Sequence, residues 1–191
     1  MELIVSVIKN VSLVGSSPTI FIVALLMTLY FLFRKDWIRV VLVFLSMCSG
    51  LCSVLLKGLF EQSRPEGYVS TGFIPWERIF VWESYSFPST HTVVYTAFFG
   101  YLFYLSLKLK GVDKIIRHIT RLFCAFMVVF VGVSRILLGA HFTKDVVTGY
   151  LIGFLYLGGI IVLERFLEQR QAKKLLKHRW LWSAHSPPTS P

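Results

Sequence analysis

Phe126 to Phe154 reads FMVVFVGVSRILLGAHFTKDVVTGYLIGF, and how this stretch is divided decides the fold. Two apolar runs flank SRILLGAHFTKD, Ser134 to Asp145, which sets an arginine, a histidine and an aspartate where charge is costly. The runs extend from Ile119 to Leu138 and from Phe142 to Phe166. About 20 apolar residues suffice for a helix to cross a bilayer. The stretch therefore reads as two membrane-spanning helices, with a tight turn permitted at Gly139 and Ala140.

Working outward, three more runs of this kind precede it: Leu13 or Thr19 to Phe33, Ile38 to Leu56, and Thr92 to Leu109. More than half of the 191 residues are hydrophobic, at 55%, which is the composition of an integral membrane protein. The fold class expected is all-α, a polytopic transmembrane helical bundle of five spans. The opening MELIVSVIKNVSLV is too short to cross, and GSSP interrupts it. It reads as a short interfacial helix or an extension of the first span, and a six-helix core results if it re-enters the membrane. With Glu2 in place of a basic cluster, the start reads as mature rather than as a signal peptide. Residues 1–180 read as a single integral membrane domain and 181–191, ending SAHSPPTSP, as a disordered tail.

The net charge of +10 would suit nucleic acid if spread over a soluble surface, but its placement excludes that partner. Arg34, Lys35 and Arg39 fall in one loop, and Lys108, Lys110, Lys114, Arg117 and Arg121 in another. Six more basic residues lie between Arg165 and Arg179. These fourteen share one membrane side with four acids, Asp36, Asp113, Glu164 and Glu168, while the other side balances six against six. Basic loops stay cytoplasmic, which puts the C-terminus inside and the N-terminus outside. The C-terminal basic run also suits contact with anionic headgroups. Cys48, Cys52 and Cys124 fall within spans and read as small buried hydrophobes.

Three polar clusters at span ends are not explained by topology, and all fall on the outer side. KGLFEQSRP, Lys57 to Pro65, places Lys57 and Arg64 seven apart, so a continuing helix projects both to one face. They suit a polyanion, or a simple snorkelling pair at a helix end. In SYSFPSTHT, Ser84 to Thr92, Pro88 stops the loop and Ser89 and Thr90 are N-cap residues for the next span. That helix start can bind phosphate through free N–H groups and its dipole, with His91 in the first turn, or can be only a cap with an interfacial histidine. In the third cluster Asp145 follows His141 by four residues, one helical turn, within reach of the imidazole. Such a pairing fixes the ring tautomer and raises the basicity of the other nitrogen, though a lone structural hydrogen bond has the same spacing. Convergence of three cations, a helix start, two histidines and an aspartate at one depth reads as a phosphate site at the outer face.

In order and internal spacing, KGLFEQSRP, PSTH and SRILLGAHFTKD resemble the three signature motifs of the type 2 phosphatidic acid phosphatase superfamily, K-x6-R-P, P-S-G-H and S-R-x5-H-x3-D. The resemblance implies a helical-bundle membrane lipid phosphatase, usually of six spans, that needs no metal or other cofactor and works through a phosphohistidine. It implies His141 as nucleophile, Asp145 as its orienting partner and His91 as general acid and then base. It also implies that Lys57, Arg64, Ser89, Thr90 and Arg135 cradle the phosphoryl oxygens. The chemistry agrees, since phosphoryl transfer is mostly positioning and charge neutralisation. Thr90 departs from the family glycine and adds a side chain where backbone approaches phosphate; the other departure is the missing first span.

The outer loop from Glu66 to Glu83, with Phe73, Trp76, Phe80 and Trp82 and with Tyr85 just after it, reads as an interfacial aromatic belt. So short a loop leaves the site open to the bilayer, which favours a membrane lipid phosphate or diphosphate over a soluble sugar phosphate. Undecaprenyl diphosphate, phosphatidylglycerol phosphate, phosphatidate and the lipid A phosphates are the candidates, with a slight preference for the polyprenyl diphosphate by analogy. The expected location is a bacterial plasma membrane with the site on the non-cytoplasmic side. Alternatives are a lipid-to-lipid phosphotransferase and a non-catalytic lipid-phosphate-binding protein disabled by Thr90. A transporter would carry its charges at the midplane rather than at span ends.

Overall fold

A computed structural model describes residues 17–66, 84–108 and 111–185. The opening segment and most of the Glu66–Glu83 aromatic loop lie outside the described residues. The elements are α1 (Ser17–Phe33), α2 (Trp37–Met47), α3 (Gly50–Phe60), α4 (Thr90–Lys108), α5 (Lys114–Leu137) and α6 (Thr143–His185). Among the described residues the protein is an all-helical membrane bundle, and three helical stretches of them, 37–60, 114–137 and 143–176, are long and apolar enough to cross a membrane by themselves.

The other two expected spans are helical as well, and each falls short for its own reason. α1 is apolar but only 17 residues long. α4 is 19 residues long and carries Thr92, Thr96, Tyr101 and Ser106 among its buried residues. It is the central helix, packed by α5 and α6 with α2 and α3 beside them. A helix surrounded by protein need not be apolar towards lipid, so its hydroxyls are tolerated.

Short caps set the connections. α1 ends with Lys35 in the left-handed region (φ 54), the Lys35 N–H donating to Leu32 O at 2.9 Å and the Asp36 N–H to Phe31 O at 2.9 Å. This is the Schellman pattern with lysine in the usual glycine place. Asp36 then caps α2 by accepting from the Arg39 N–H at 3.2 Å. Asp113 caps α5 in the same way, accepting from the N–H groups of Ile115 and Ile116.

α2 and α3 form one membrane pass broken at Cys48–Ser49. There Ser46 Oγ donates to Val43 O and Ser49 Oγ to Ser46 O, both at 2.7 Å. Serine hydroxyls that bond the preceding turn bend helices. Beyond the break, Gly50 lies close enough to α4 that an added Cβ would meet Val94 Cγ2 at 3.1 Å. Lys57, only 1% exposed, ends up in the last turn of α3.

α4 and α6 run parallel in one register. Gly149 faces Thr92 and Gly153 faces Thr96; a Cβ added to either glycine would stand 2.9 or 2.6 Å from the threonine Cβ. One turn further, Gly100 faces Leu157. At the far end of this seam Lys108 Nζ lies 3.0 Å from Glu164 Oε1 and 2.5 Å from Glu168 Oε2. Arg39 of α2 joins them, with Nε 3.3 Å from Glu164 Oε1 and Nη2 2.9 Å from Glu168 Oε1, and also pairs with Asp36. Glu164 is fully buried. This ion-pair cluster therefore ties α2, α4 and α6 together on the side read as cytoplasmic.

α6 has 43 residues, about 64 Å at 1.5 Å per residue, roughly twice the hydrocarbon thickness. It continues helical to His185, into the stretch read as tail. The three cysteines are free, Cys124 buried and the others half-buried.

Candidate active site

At the opposite end of the α4–α6 seam, three stretches remote in sequence meet. α5 ends at Leu137, and Gly139 adopts φ 63, a conformation that costs glycine little. The chain folds back so that the N–H groups of Ala140 and His141 both donate to the Arg135 carbonyl, at 3.0 and 3.3 Å. The five-residue gap between Arg135 and His141 is thus one turn, which keeps both on the same end of the bundle. Arg135 is 9% exposed and His141 4%.

Asp145 lies in the first turn of α6 and is fully buried. Its Oδ2 accepts from the Phe142 N–H at 2.9 Å and from the Ser86 hydroxyl. Its Oδ1 accepts from Gln62 Nε2 at 3.4 Å. The expected pairing with His141 is present as proximity, Nδ1 to Oδ2 3.7 Å. The Ser86 oxygen lies nearer to that ring nitrogen, at 3.4 Å.

The Lys57–Pro65 segment anchors the other two stretches. Arg64 donates from Nε to Ser84 O and from Nη1 to Ala140 O, each at 3.2 Å. The Gln62 carbonyl accepts from the Ser86 N–H at 2.7 Å. One short loop after α3 therefore holds the approach to α4 and the α5–α6 turn against each other.

The loop before α4 passes through a cis Phe87–Pro88 bond. The Ser89 carbonyl accepts the first helical bond, from Val93 N–H at 3.1 Å, so Ser89 is the N-cap residue as expected. Its own N–H donates to Asp145 O at 3.2 Å, and its side chain accepts from Thr92 Oγ1 at 3.0 Å. His91, half-buried in the first turn, lies where Arg135, His141, Lys57 and Arg64 all act on it electrostatically.

Thr90 turns its side chain towards α3. Its Oγ1 is 2.9 Å from Ser53 Oγ, which donates to Pro88 O at 3.2 Å. With the Ser53 proton on that carbonyl, the Thr90 hydroxyl donates to Ser53.

His141 sits in the turn between the helical spans, and burial holds its imidazole pKa below the ordinary 6.5; pairing with Asp145 opposes this, and the Arg64 and Lys57 charges reinforce it. Burial thereby favours the neutral ring. Among the described residues no group of three or more His, Cys, Asp or Glu is arranged to hold a metal ion.

The family model described as the PAP2 superfamily matches residues 39–168, from the ion-pair cluster through every motif residue. The chain belongs to the PAP2 superfamily. Among curated relatives, it is 27% identical over 125 residues to phosphatidylglycerophosphatase B of Bacillus subtilis, covering 65% of this chain and 57% of that one. It is 30% identical over 121 residues to a lipid A 1-phosphatase of Rhizobium johnstonii, covering 62% of this chain and 44% of that one. The chain thus spans about half the length of the curated relatives it matches. A crystal structure of a transmembrane PAP2 type phosphatidylglycerolphosphate phosphatase from Bacillus subtilis superposes with TM-score 0.70 at 21% identity, over 86% of this chain and 78% of that one. That likeness shows a shared PAP2 fold.

Reading the PAP2 motifs alone misses two residues of the cluster. Ser86 lies inside the second quoted stretch and Gln62 inside the variable gap of the first. Nothing but polarity in a loop marks either one in sequence.

Proposed function

We propose that the protein hydrolyses a phosphomonoester or diphosphate carried by a membrane lipid, through a phosphohistidine. A ring nitrogen of His141 attacks phosphorus. The N–P bond forms as the bond from phosphorus to the lipid oxygen breaks, and that oxygen takes a proton from His91. Water then attacks phosphorus and gives its proton to His91; the N–P bond breaks and phosphate leaves. Asp145 orients His141, while Lys57, Arg64, Arg135 and the N–H groups at the start of α4 neutralise the phosphoryl oxygens.

The observation that carries this reading is the buried His141 beside the triply bonded Asp145 carboxylate, at the bundle end where Arg64 and Arg135 frame the same turn. Binding phosphate alone needs cations and a helix start; it does not need a histidine held neutral next to an anchored carboxylate. The orientation of Thr90 towards Ser53 also removes the main reason to regard the site as disabled. Relatives named for phosphatidylglycerol phosphate and lipid A put those lipids beside polyprenyl diphosphate and phosphatidate as substrates to try. The site is read as facing the non-cytoplasmic side of a bacterial plasma membrane.

The test is phosphate release by purified protein in detergent with chelator present, across those four lipids, with His141→Ala alongside. Release that persists in chelator and disappears in the variant is expected. Equal release by His141→Ala would refute the phosphohistidine route, and phosphate appearing on an added acceptor lipid would favour transfer over hydrolysis.

A further inference from the structure

The residue that joins Asp145 to His141 is one the motifs do not contain. Ser86 is fully buried, held by its N–H on the Gln62 carbonyl at 2.7 Å. Its hydroxyl donates to Asp145 Oδ2 and stands 3.4 Å from His141 Nδ1, nearer than the carboxylate at 3.7 Å.

A serine hydroxyl has one proton and two lone pairs. The hydrogen bond to a carboxylate, which can only accept while ionised, fixes the direction of that proton. Towards His141 the serine oxygen can then act only as acceptor, so Nδ1 must carry hydrogen. The carboxylate oxygen 3.7 Å from Nδ1 already accepts from Phe142 N–H and Ser86, so the serine oxygen at 3.4 Å is the closer acceptor for Nδ1–H.

We propose that Ser86 is a positioning residue that holds His141 in the Nδ1–H tautomer, its hydroxyl donating to Asp145 and accepting from Nδ1–H, so that the lone pair of Nε2 is the one presented to phosphorus. Asp145 acts on His141 through Ser86 as much as through space. The role of His141 as nucleophile rests on the proposed function above, whereas the tautomer is a property of the resting protein and can be read without any substrate.

The experiment is nitrogen-15 NMR of histidine-labelled full-length protein in detergent at neutral pH, the His141 signals being assigned by their loss in His141→Ala. Wild type is expected to show His141 as the Nδ1–H tautomer; Nε2–H in wild type overturns the proposal whatever any variant does. Ser86→Ala is expected to give a mixture of tautomers and Ser86→Thr, which keeps the hydroxyl, to restore the single form. A pure Nδ1–H tautomer in folded Ser86→Ala would show that Asp145 suffices and overturn the proposal. In kinetics Ser86→Ala should lower kcat about 10-fold or more with KM within about 3-fold, because it changes the reactive ring and not the phosphate contacts. If the tautomer is pinned in wild type and no lipid yields phosphate, the assignment of Ser86 stands and the hydrolase reading fails.

Discussion

The two ends of the α4–α6 seam both bury charge, and they do so in opposite ways. At one end Arg39 and Lys108 meet Asp36, Glu164 and Glu168, every group within salt-bridge distance of an opposite charge. At the other, Lys57, Arg64 and Arg135 are set with two histidines and the carboxylate of Asp145, itself occupied by Ser86, Phe142 and Gln62. The first arrangement is closed on itself and serves to join helices. The second gathers cations around two histidines, the arrangement on which the proposed phosphate contacts rest. Buried charge thus serves cohesion where ion pairs join helices, and is available to the proposed chemistry where it surrounds histidine.

Substitutions at the site end give the largest expected effects. His141→Ala should lower phosphate release by at least about 10³-fold, and Asp145→Asn by on the order of 10² to 10⁴, with little change in thermal stability. Activity assays and melting curves on the same preparations check both. At the clamp end the ranking should invert. Glu164→Ala removes the buried carboxylate that Arg39 and Lys108 share, though both keep Glu168, and should cost about 1 to 3 kcal/mol, seen as a lower Tm in detergent. Activity per folded molecule should stay within about twofold. If Glu164→Ala abolished turnover in protein that melts normally, the division between the ends would be wrong.

Between the ends, Gly149→Ala places a Cβ 2.9 Å from that of Thr92 and should cost about 1 to 3 kcal/mol by overpacking the seam. Because the Ser89 N–H bonds the Asp145 carbonyl beside it, this substitution should lower kcat as well as Tm. Thr90→Gly removes the bond to Ser53 and adds backbone freedom, for a loss of about 1 kcal/mol. Turnover should remain within a fewfold, and Thr90→Ser should be nearly silent. The smallest effect concerns pH. Since the His141 pKa is depressed, the ring stays neutral as pH falls through 6.5 and protonates only below it. The acid limb of kcat/KM should accordingly lie under the ordinary imidazole value, as a pH–rate profile will show.

The helical passes and the motif residues were legible in sequence because each leaves a local signature. An apolar run long enough to span, a proline before a capping serine, and a histidine four residues before an aspartate are all visible without knowing what packs against them. Three features were not. The break at Cys48–Ser49 depends on hydroxyls turning back onto their own helix, which serines in a spanning run do not announce. The ion-pair cluster draws on residues that count towards topology as ordinary basic and acidic loop charges. Ser86 and Gln62 acquire their place only when α3, α4 and α6 are brought together, and a serine in a loop looks like any other. What remains hidden in sequence is pairing between distant segments; what is visible is periodicity and spacing within one.

The common register of α4 and α6 has a further consequence, for how the chain can change its length. Asp145 and Glu164 lie on one helix, nineteen positions apart by their numbers, or about 28 Å at 1.5 Å per residue. One residue inserted or deleted between them would turn one end by about 100° relative to the other. Either the carboxylate would leave the histidine or the glutamate would leave its cations. Residue identities along the lipid face of this segment can drift freely, but the number of residues cannot. Insertions belong beyond Glu168, where neither end keeps count.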